Sequence, residues 1–392
     1  TFVSDIVAGI IVAIIALPLS IALAIASGVA PEKGLYTAIV AGFVIALLGG
    51  SKVNISGPTA AFATIVAGIV ATFGTEGLVI ATIMAGIILI LMGVLKLGAL
   101  IKYIPYTITT GFTSGIAVTI LIGQIKDFMG LTFPKGAHAV ETTEKLACVV
   151  KSISTINLQA VLVGVIALLI LIFWPKVSKK IPGSLIAVVV GTVVVSLFKM
   201  DVNTIGDLYT ISKSLPSFSV PQVDFAMIKQ LLPSAFTIAI LAAIESLLSC
   251  VVSDGMIGDK HNSNTELIAQ GAGNIFSGLF GGIPATGAIA RTAANIKNGG
   301  RTPIAGMVHA VTLLLILLVL MPYAALIPMP AIAAILFMVA YNMSEWRHFA
   351  RLCKTAPKRD IIVLVTTFVL TVVFDLVVGL IISIYILLIK RK

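Results

Sequence analysis

Two short segments combine small residues, a proline and a hydroxyl in a pattern that suits anion binding through the backbone. The first reads Gly49-Gly50, then Ile55-Ser56-Gly57-Pro58-Thr59-Ala60-Ala61. The second reads Gly281-Gly282, then Ile283-Pro284-Ala285-Thr286-Gly287-Ala288-Ile289-Ala290. In each, Gly and Pro stop one helix, extended chain follows, and a new helix starts among small residues. A helix start presents N–H groups without intrahelical partners at the positive end of the helix dipole. Two starts aimed at one point form an anion site. Gly57, Pro58, Thr59, Ala60 and Ala61 would lie on one side of it, and Thr286, Gly287, Ala288, Ile289 and Ala290 on the other. Small residues also permit close helix packing in lipid. The paired, Pro-broken pattern favours binding.

Three ionisable residues fall within apolar runs: Glu245, Arg291 and Asp375. A charge inside a span costs roughly 2.5–3.5 kcal/mol on insertion scales, so it faces a cavity or a partner. Arg291 follows the second helix start, where it adds positive field at the anion or pairs with Glu245. Glu245 reads as the coupling site, taking up H+ (or joining a Na+ site) in step with the anion. Desolvation penalises the charged form of a carboxylate, which favours proton exchange. The plainer role for Glu245 is an ion pair with a neighbouring span. Asp375 lies at the end of a run, where a turn or cap accounts for it, and is left outside the site. His309, alone in an apolar run, reads as a hydrogen-bonded packing residue. The other histidines and Cys148, Cys250 and Cys353 are scattered, so no metal, disulfide framework or cofactor is expected. A membrane enzyme would need a clustered nucleophile and base, and none is suggested.

The elements that hold these residues follow from composition. Of 392 residues, 59% are hydrophobic and 11% charged, against about 25% charged in a soluble domain. With a mean hydropathy of +1.14, a soluble enzyme, a nucleic-acid binder and a disordered hub are excluded. The net charge of +10 belongs to cytoplasmic loops rather than to a nucleic-acid surface. Twelve apolar runs, from Ile6–Ser27 to Val377–Ile389, are candidate spans. Pro58–Thr72 and Thr286–Ile296 add two half-helices and bring the count to fourteen. With the N-terminus inside, fourteen alternating spans place 17 basic residues on the cytoplasmic side and 8 outside, as the positive-inside rule requires. Both termini are then cytoplasmic. A start at Thr1 without Met and a stop at Lys392 suggest a core trimmed at both ends. The basic run Arg347 to Arg359 reads as an interfacial loop beside membrane lipid head groups.

The broken segments also repeat. Leu47-Leu48-Gly49-Gly50 returns as Leu279-Phe280-Gly281-Gly282 after 232 residues, and Ile104-Pro105 as Ile327-Pro328 after 223. Seven spans per half is an odd number, so the second half is inverted. Residues 1–198 form the first repeat, 199–230 an extracellular connection, and 231–392 the second repeat. The expected fold is an all-α polytopic membrane protein with a 7+7 inverted repeat, its third and tenth spans broken. Matched broken helices mark the midplane site of a transporter. The leading reading is a secondary anion transporter, a symporter with H+ or Na+. An uncoupled exchanger or channel of the same fold is the alternative. A nucleobase permease would favour polar, carboxylate-bearing half-helix starts.

The runs Ala30-Pro31-Glu32-Lys33-Gly34-Leu35-Tyr36-Thr37, Ile55 to Phe62, and Gly111-Phe112-Thr113-Ser114-Gly115 resemble the sulfate permease (SulP) family. So do Ile244-Glu245-Ser246-Leu247-Leu248, Asn264-Thr265-Glu266-Leu267-Ile268-Ala269-Gln270-Gly271 and Ala290-Arg291-Thr292-Ala293-Ala294-Asn295. The resemblance extends over essentially the whole chain. It implies the inverted-repeat fold shared with uracil permeases, with the anion held between the third and tenth spans of a core domain. It further implies a gate domain, an elevator movement, a homodimer in the bacterial inner membrane, and a cytoplasmic STAS domain after Lys392. Sulfate, bicarbonate or a dicarboxylate is the implied substrate. Where the family often has a hydroxyl, this chain has Ala290, leaving Thr59, Thr286 and backbone amides as donors.

Overall fold

Proline and glycine set where the helices begin and end. The structure, a computed structural model, describes residues 1–137, 139–374 and 376–389. His138, Asp375 and Lys390 to Lys392 lie outside the described residues. The first half runs α1 (Phe2–Ala26), α2 (Pro31–Leu48), β1 (Ser56–Gly57), α3 (Ala63–Val94), α4 (Tyr106–Met129), α5 (Thr142–Lys151), α6 (Leu158–Val177) and α7 (Gly183–Leu197). After α8 (Ile205–Leu208) come α9 (Phe225–Ile257), α10 (Ser263–Leu279), β2 (Thr286–Gly287) and α11 (Ile289–Lys297). The chain ends with α12 (Pro303–Ala324), α13 (Met329–Ser344), α14 (Trp346–Thr355), α15 (Lys358–Val373) and α16 (Leu376–Ile389). Prolines open α2, α12 and α13, where the missing N–H costs nothing.

Every apolar run read from the sequence coincides with a helix. Two of them share α3, which bends at Gly74 with φ 72° and ψ −170°, between Pro58–Thr72 and Leu78–Leu95. Seven helical stretches are long and apolar enough to cross a membrane: α1, α2, Ala60–Val94, α4, α6, α9 and α12. The basic run Arg347 to Arg359 is not the loop expected. It forms α14 and the start of α15, with Arg347, Arg351 and Lys354 at helical spacing on one face. On the other face Phe349 packs on Phe368 of α15 at 5.3 Å between ring centroids. A loop reading missed this because polar residues outnumber apolar ones, although the apolar ones fall at helical period.

The helices sort into two sets. In one, α10 lies against α3 and α2, α1 against α12 and α2, and α9 against α3 and α11. In the other, α4 lies against α13 and α15, α6 against α13 and α7, and α15 against α16. Between helices in lipid, apolar burial contributes little, so close packing and buried hydrogen bonds do the joining. Asp5 is one such join. Its carboxylate, 1% exposed, accepts from the Arg301 N–H at 2.7 Å, the Thr302 N–H at 3.1 Å and the Thr302 hydroxyl at 2.7 Å. It thereby caps α12 from α1.

Candidate functional site

The two broken segments meet as strands. β1 and β2 pair antiparallel, Ser56 opposite Gly287 and Gly57 opposite Thr286, and the Ala288 N–H extends the ladder to the Ile55 carbonyl at 2.8 Å. Extended backbone at this depth must find partners, because an unsatisfied polar group in lipid costs several kcal/mol. Each broken segment is the other's partner. Since the strands are antiparallel, the helices after them leave in opposite directions. A 3-10 turn over Ala60–Phe62 leads into α3, and Ala288 leads into α11. Both positive helix ends therefore border the same short ladder.

Arg291, in the first turn of α11, is 2% exposed. Its Nη2 donates to the Pro58 carbonyl at 3.1 Å. Among the described residues its Nε and Nη1 have no hydrogen-bond partner. Nη1 lies over Gly57, where any Cβ would overlap it. The position is therefore glycine because a guanidinium occupies the space. The expected pairing of Arg291 with Glu245 is not formed. The ion pairs among the described residues are Lys52–Asp259 and His261–Asp254. Arg291 reaches back along the ladder to Pro58 instead, across the broken segments rather than toward α9.

Glu245, half-buried on α9, accepts from the Thr59 hydroxyl at 3.2 Å. Thr286 is fully buried and donates to the Ala242 carbonyl at 2.9 Å. Both hydroxyls named as donors thus point their protons at the protein. The unpartnered donors of the site are those of Arg291. Gly57, Pro58 and Ala60 are buried beside the ladder and Ala288 is half-buried. Ala61 packs into the apolar core, 1% exposed, while Ile289 and Ala290 lie on the exposed face of α11. His309 is fully buried on α12, and among the described residues neither ring nitrogen has a partner. That corrects the expectation of a hydrogen-bonded packing residue.

Two cavities lie between the two helix sets. One of about 310 Å³ runs along α3 from Thr64 to Phe73 and reaches Glu141 and Thr142. The other, about 290 Å³, is lined by Ile244, Leu248 and Val251 of α9 and by Tyr106, His261 and Ser263. Sequence reading gave no role to Asn54, Ser249 or Thr292. The Ser249 and Thr292 hydroxyls donate to Asn54 Oδ1 at 2.8 and 3.0 Å, joining α9, α11 and the segment before β1. Their only signal was polar side chains within or beside apolar runs. Among the described residues no three His, Cys, Asp or Glu side chains are grouped to hold a metal ion.

Residues 2–367 match the sulfate permease family. The chain is 46% identical over 384 residues to the putative sulfate transporter YvdB of Bacillus subtilis, covering 96% of this chain and 71% of that protein. It is 35% identical to the bicarbonate transporter BicA of a Picosynechococcus species, covering 98% and 69%. The solved transmembrane domain of a cyanobacterial BicA superposes with a TM-score of 0.87 at 32% identity, covering 96% of this chain and 97% of that one. The structure of SLC26A9, at 20% identity and a TM-score of 0.88, shares the fold.

Proposed function

This chain belongs to the sulfate permease family, a multi-pass membrane transporter and not an enzyme, and on that premise we propose how it binds and moves its anion. The anion sits where the helix starts at Thr59–Ala60 and Ala288–Arg291 face each other. One observation carries this: a buried guanidinium, with two nitrogens unpartnered among the described residues, lies across a ladder bordered by two positive helix ends. A buried cation without a partner costs several kcal/mol, and an anion in the site offsets that cost. Relatives named as sulfate and bicarbonate transporters support one of those anions as substrate, with dicarboxylates in the same charge class.

Transport is coupled. Glu245 touches the anion site through Thr59, so protonation or Na+ binding at its carboxylate alters the field and the hydrogen bonding there. The cavities along α3 and α9 support access from either side as one helix set slides against the other, the elevator movement. In the full reading fourteen segments cross the inner membrane as a 7+7 inverted repeat with cytoplasmic termini, residues 1–198 and 231–392 being the repeats. A homodimer with a cytoplasmic STAS domain completes it.

The test is a proteoliposome uptake panel with labelled sulfate, bicarbonate and succinate, with and without imposed pH and Na+ gradients. Gradient-driven uptake of one anion is expected, abolished by Ala60→Leu and by Ala288→Leu. Uptake of uracil with no anion carried overturns the reading, and unchanged affinity in both Leu variants moves the site elsewhere.

A further inference from the structure

A second carboxylate lies behind the ladder. Glu266, in the first turn of α10, is fully buried, and its ion-pair partner is not found among the described residues. Its Oε2 accepts from the Gly50 N–H at 2.9 Å and the Ser51 N–H at 3.2 Å. Its Oε1 accepts from Asn54 Nδ2 at 2.8 Å and Gln270 Nε2 at 3.0 Å. All are donors, so the position calls for a group that only accepts. An amide there would turn its NH2 toward two of them.

From this carboxylate two arms reach the candidate site. Asn54 turns its Oδ1 to the Thr292 hydroxyl at 3.0 Å, and Thr292 follows Arg291 on α11. Thr292 Oγ1 also accepts the Ile55 N–H at 2.9 Å, so this arm closes on the strand segment. Gln270 donates through Nε2 to Ser56 Oγ at 3.0 Å, and Ser56 precedes Gly57. One arm thus ends beside each helix start. The turn after α10 has a different anchor, on α2. There the Thr37 hydroxyl accepts the Ile283 N–H at 2.7 Å and Lys33 Nζ donates to the Gly281 carbonyl at 3.2 Å. Helices α2 and α10 each hold the turn that follows the other, and only the α10 hold uses a buried anionic side chain.

We propose that Glu266 is a positioning residue for the anion site: through Asn54–Thr292 and Gln270–Ser56 it fixes the spacing of the two helix starts, and so sets affinity. The inference rests on the anion site proposed above. A carboxylate kept for stability alone would, when altered, lower the amount of folded protein and leave the KM of the folded fraction unchanged. A positioning carboxylate changes KM.

The experiment measures uptake of whichever of sulfate and bicarbonate the parent protein carries, as KM and as Vmax per folded protein in proteoliposomes. The set comprises Glu266→Gln, Asn54→Ala, their double variant, and Ala60→Leu as the control for the site. Glu266→Gln is expected to raise KM about tenfold or more, and Asn54→Ala to raise it in the same direction. The double variant should match Glu266→Gln, because the Asn54 arm starts at Glu266 and is already released when that carboxylate is lost. A folded Glu266→Gln protein with KM within about twofold of the parent overturns the proposal, as do effects that multiply in the double variant. If Glu266→Gln does not fold, Asn54→Ala decides, and an unchanged KM there overturns it. Uptake that survives Ala60→Leu refutes the anion site itself, a result distinct from failure of Glu266 alone.

Discussion

Adding one methyl group at Gly57 tests how Arg291 is used. A Cβ at this position overlaps Arg291 Nη1, and the backbone of Ala38 closes the space behind it at 3.7 Å. The strand is held by its pairing with β2, so the guanidinium is the part that moves. Once moved, it loses the Pro58 carbonyl and its aim at the anion. Misaimed, the guanidinium forfeits its hydrogen bond to the anion, and a hydrogen bond to a charged group is worth about 1.5–3 kcal/mol. At 1.4 kcal/mol per factor of ten, losing it weakens anion binding roughly 10- to 150-fold. Titration calorimetry on Gly57→Ala in detergent, beside Arg291→Ala and the double variant, reads this directly. The double variant should bind no worse than Arg291→Ala, because both changes remove the same contact. Parent-like affinity in Gly57→Ala, or effects that multiply, would refute the reasoning.

Glu245→Gln should still bind and exchange anion but lose accumulation driven by a pH gradient; full accumulation in proteoliposomes would make Glu245 a structural residue. The native cysteines report topology: an impermeant maleimide added outside right-side-out vesicles should label Cys148 on α5 and spare Cys353 on α14, and the reverse pattern would sink the fourteen-span arrangement. Asp259 lies outside the spans, and its hydrogen bond from Lys52 and the Lys260 N–H hold its carboxyl below the ordinary 3.8. A depressed folded value contributes stability above the unfolded value and loses it only as pH falls through the folded one. Asp259→Asn should therefore leave transport unchanged in its pH profile from about 5 to 8, and a shift in that profile would implicate the Lys52–Asp259 pair in coupling.

Much of the fold was legible because the patterns that specify it are local. Apolar runs, prolines at helix starts and the repeated Gly pair placed the long apolar helices, and two of those runs border the bend at Gly74. The polar helices α5, α8 and α14 carry no apolar run and were not placed. The antiparallel meeting of Gly57 with Thr286 was not legible, because the register of two strands so far apart leaves no local trace. The reach of Arg291 escaped for a similar reason. A long side chain chooses between a carboxylate and a carbonyl by distances that exist only after the chain has folded. Glu266 was visible as part of a recognised run, but its role was not. Two of its four partners are backbone N–H groups, which every sequence has, and Asn54 is brought to it only by folding across 212 residues.

The pairing of β1 with β2 has a consequence for biosynthesis. Ser56 and its partner Gly287 leave the ribosome some 230 residues apart, which at roughly 5–20 residues per second is about 10 to 50 seconds. Throughout that interval the segment before α3 carries donors and acceptors whose partners have not been made. The site is therefore among the last parts of the molecule to form, and the first half, expressed alone, holds an unfinished edge in the membrane. Supplying the second half as a separate chain would complete it.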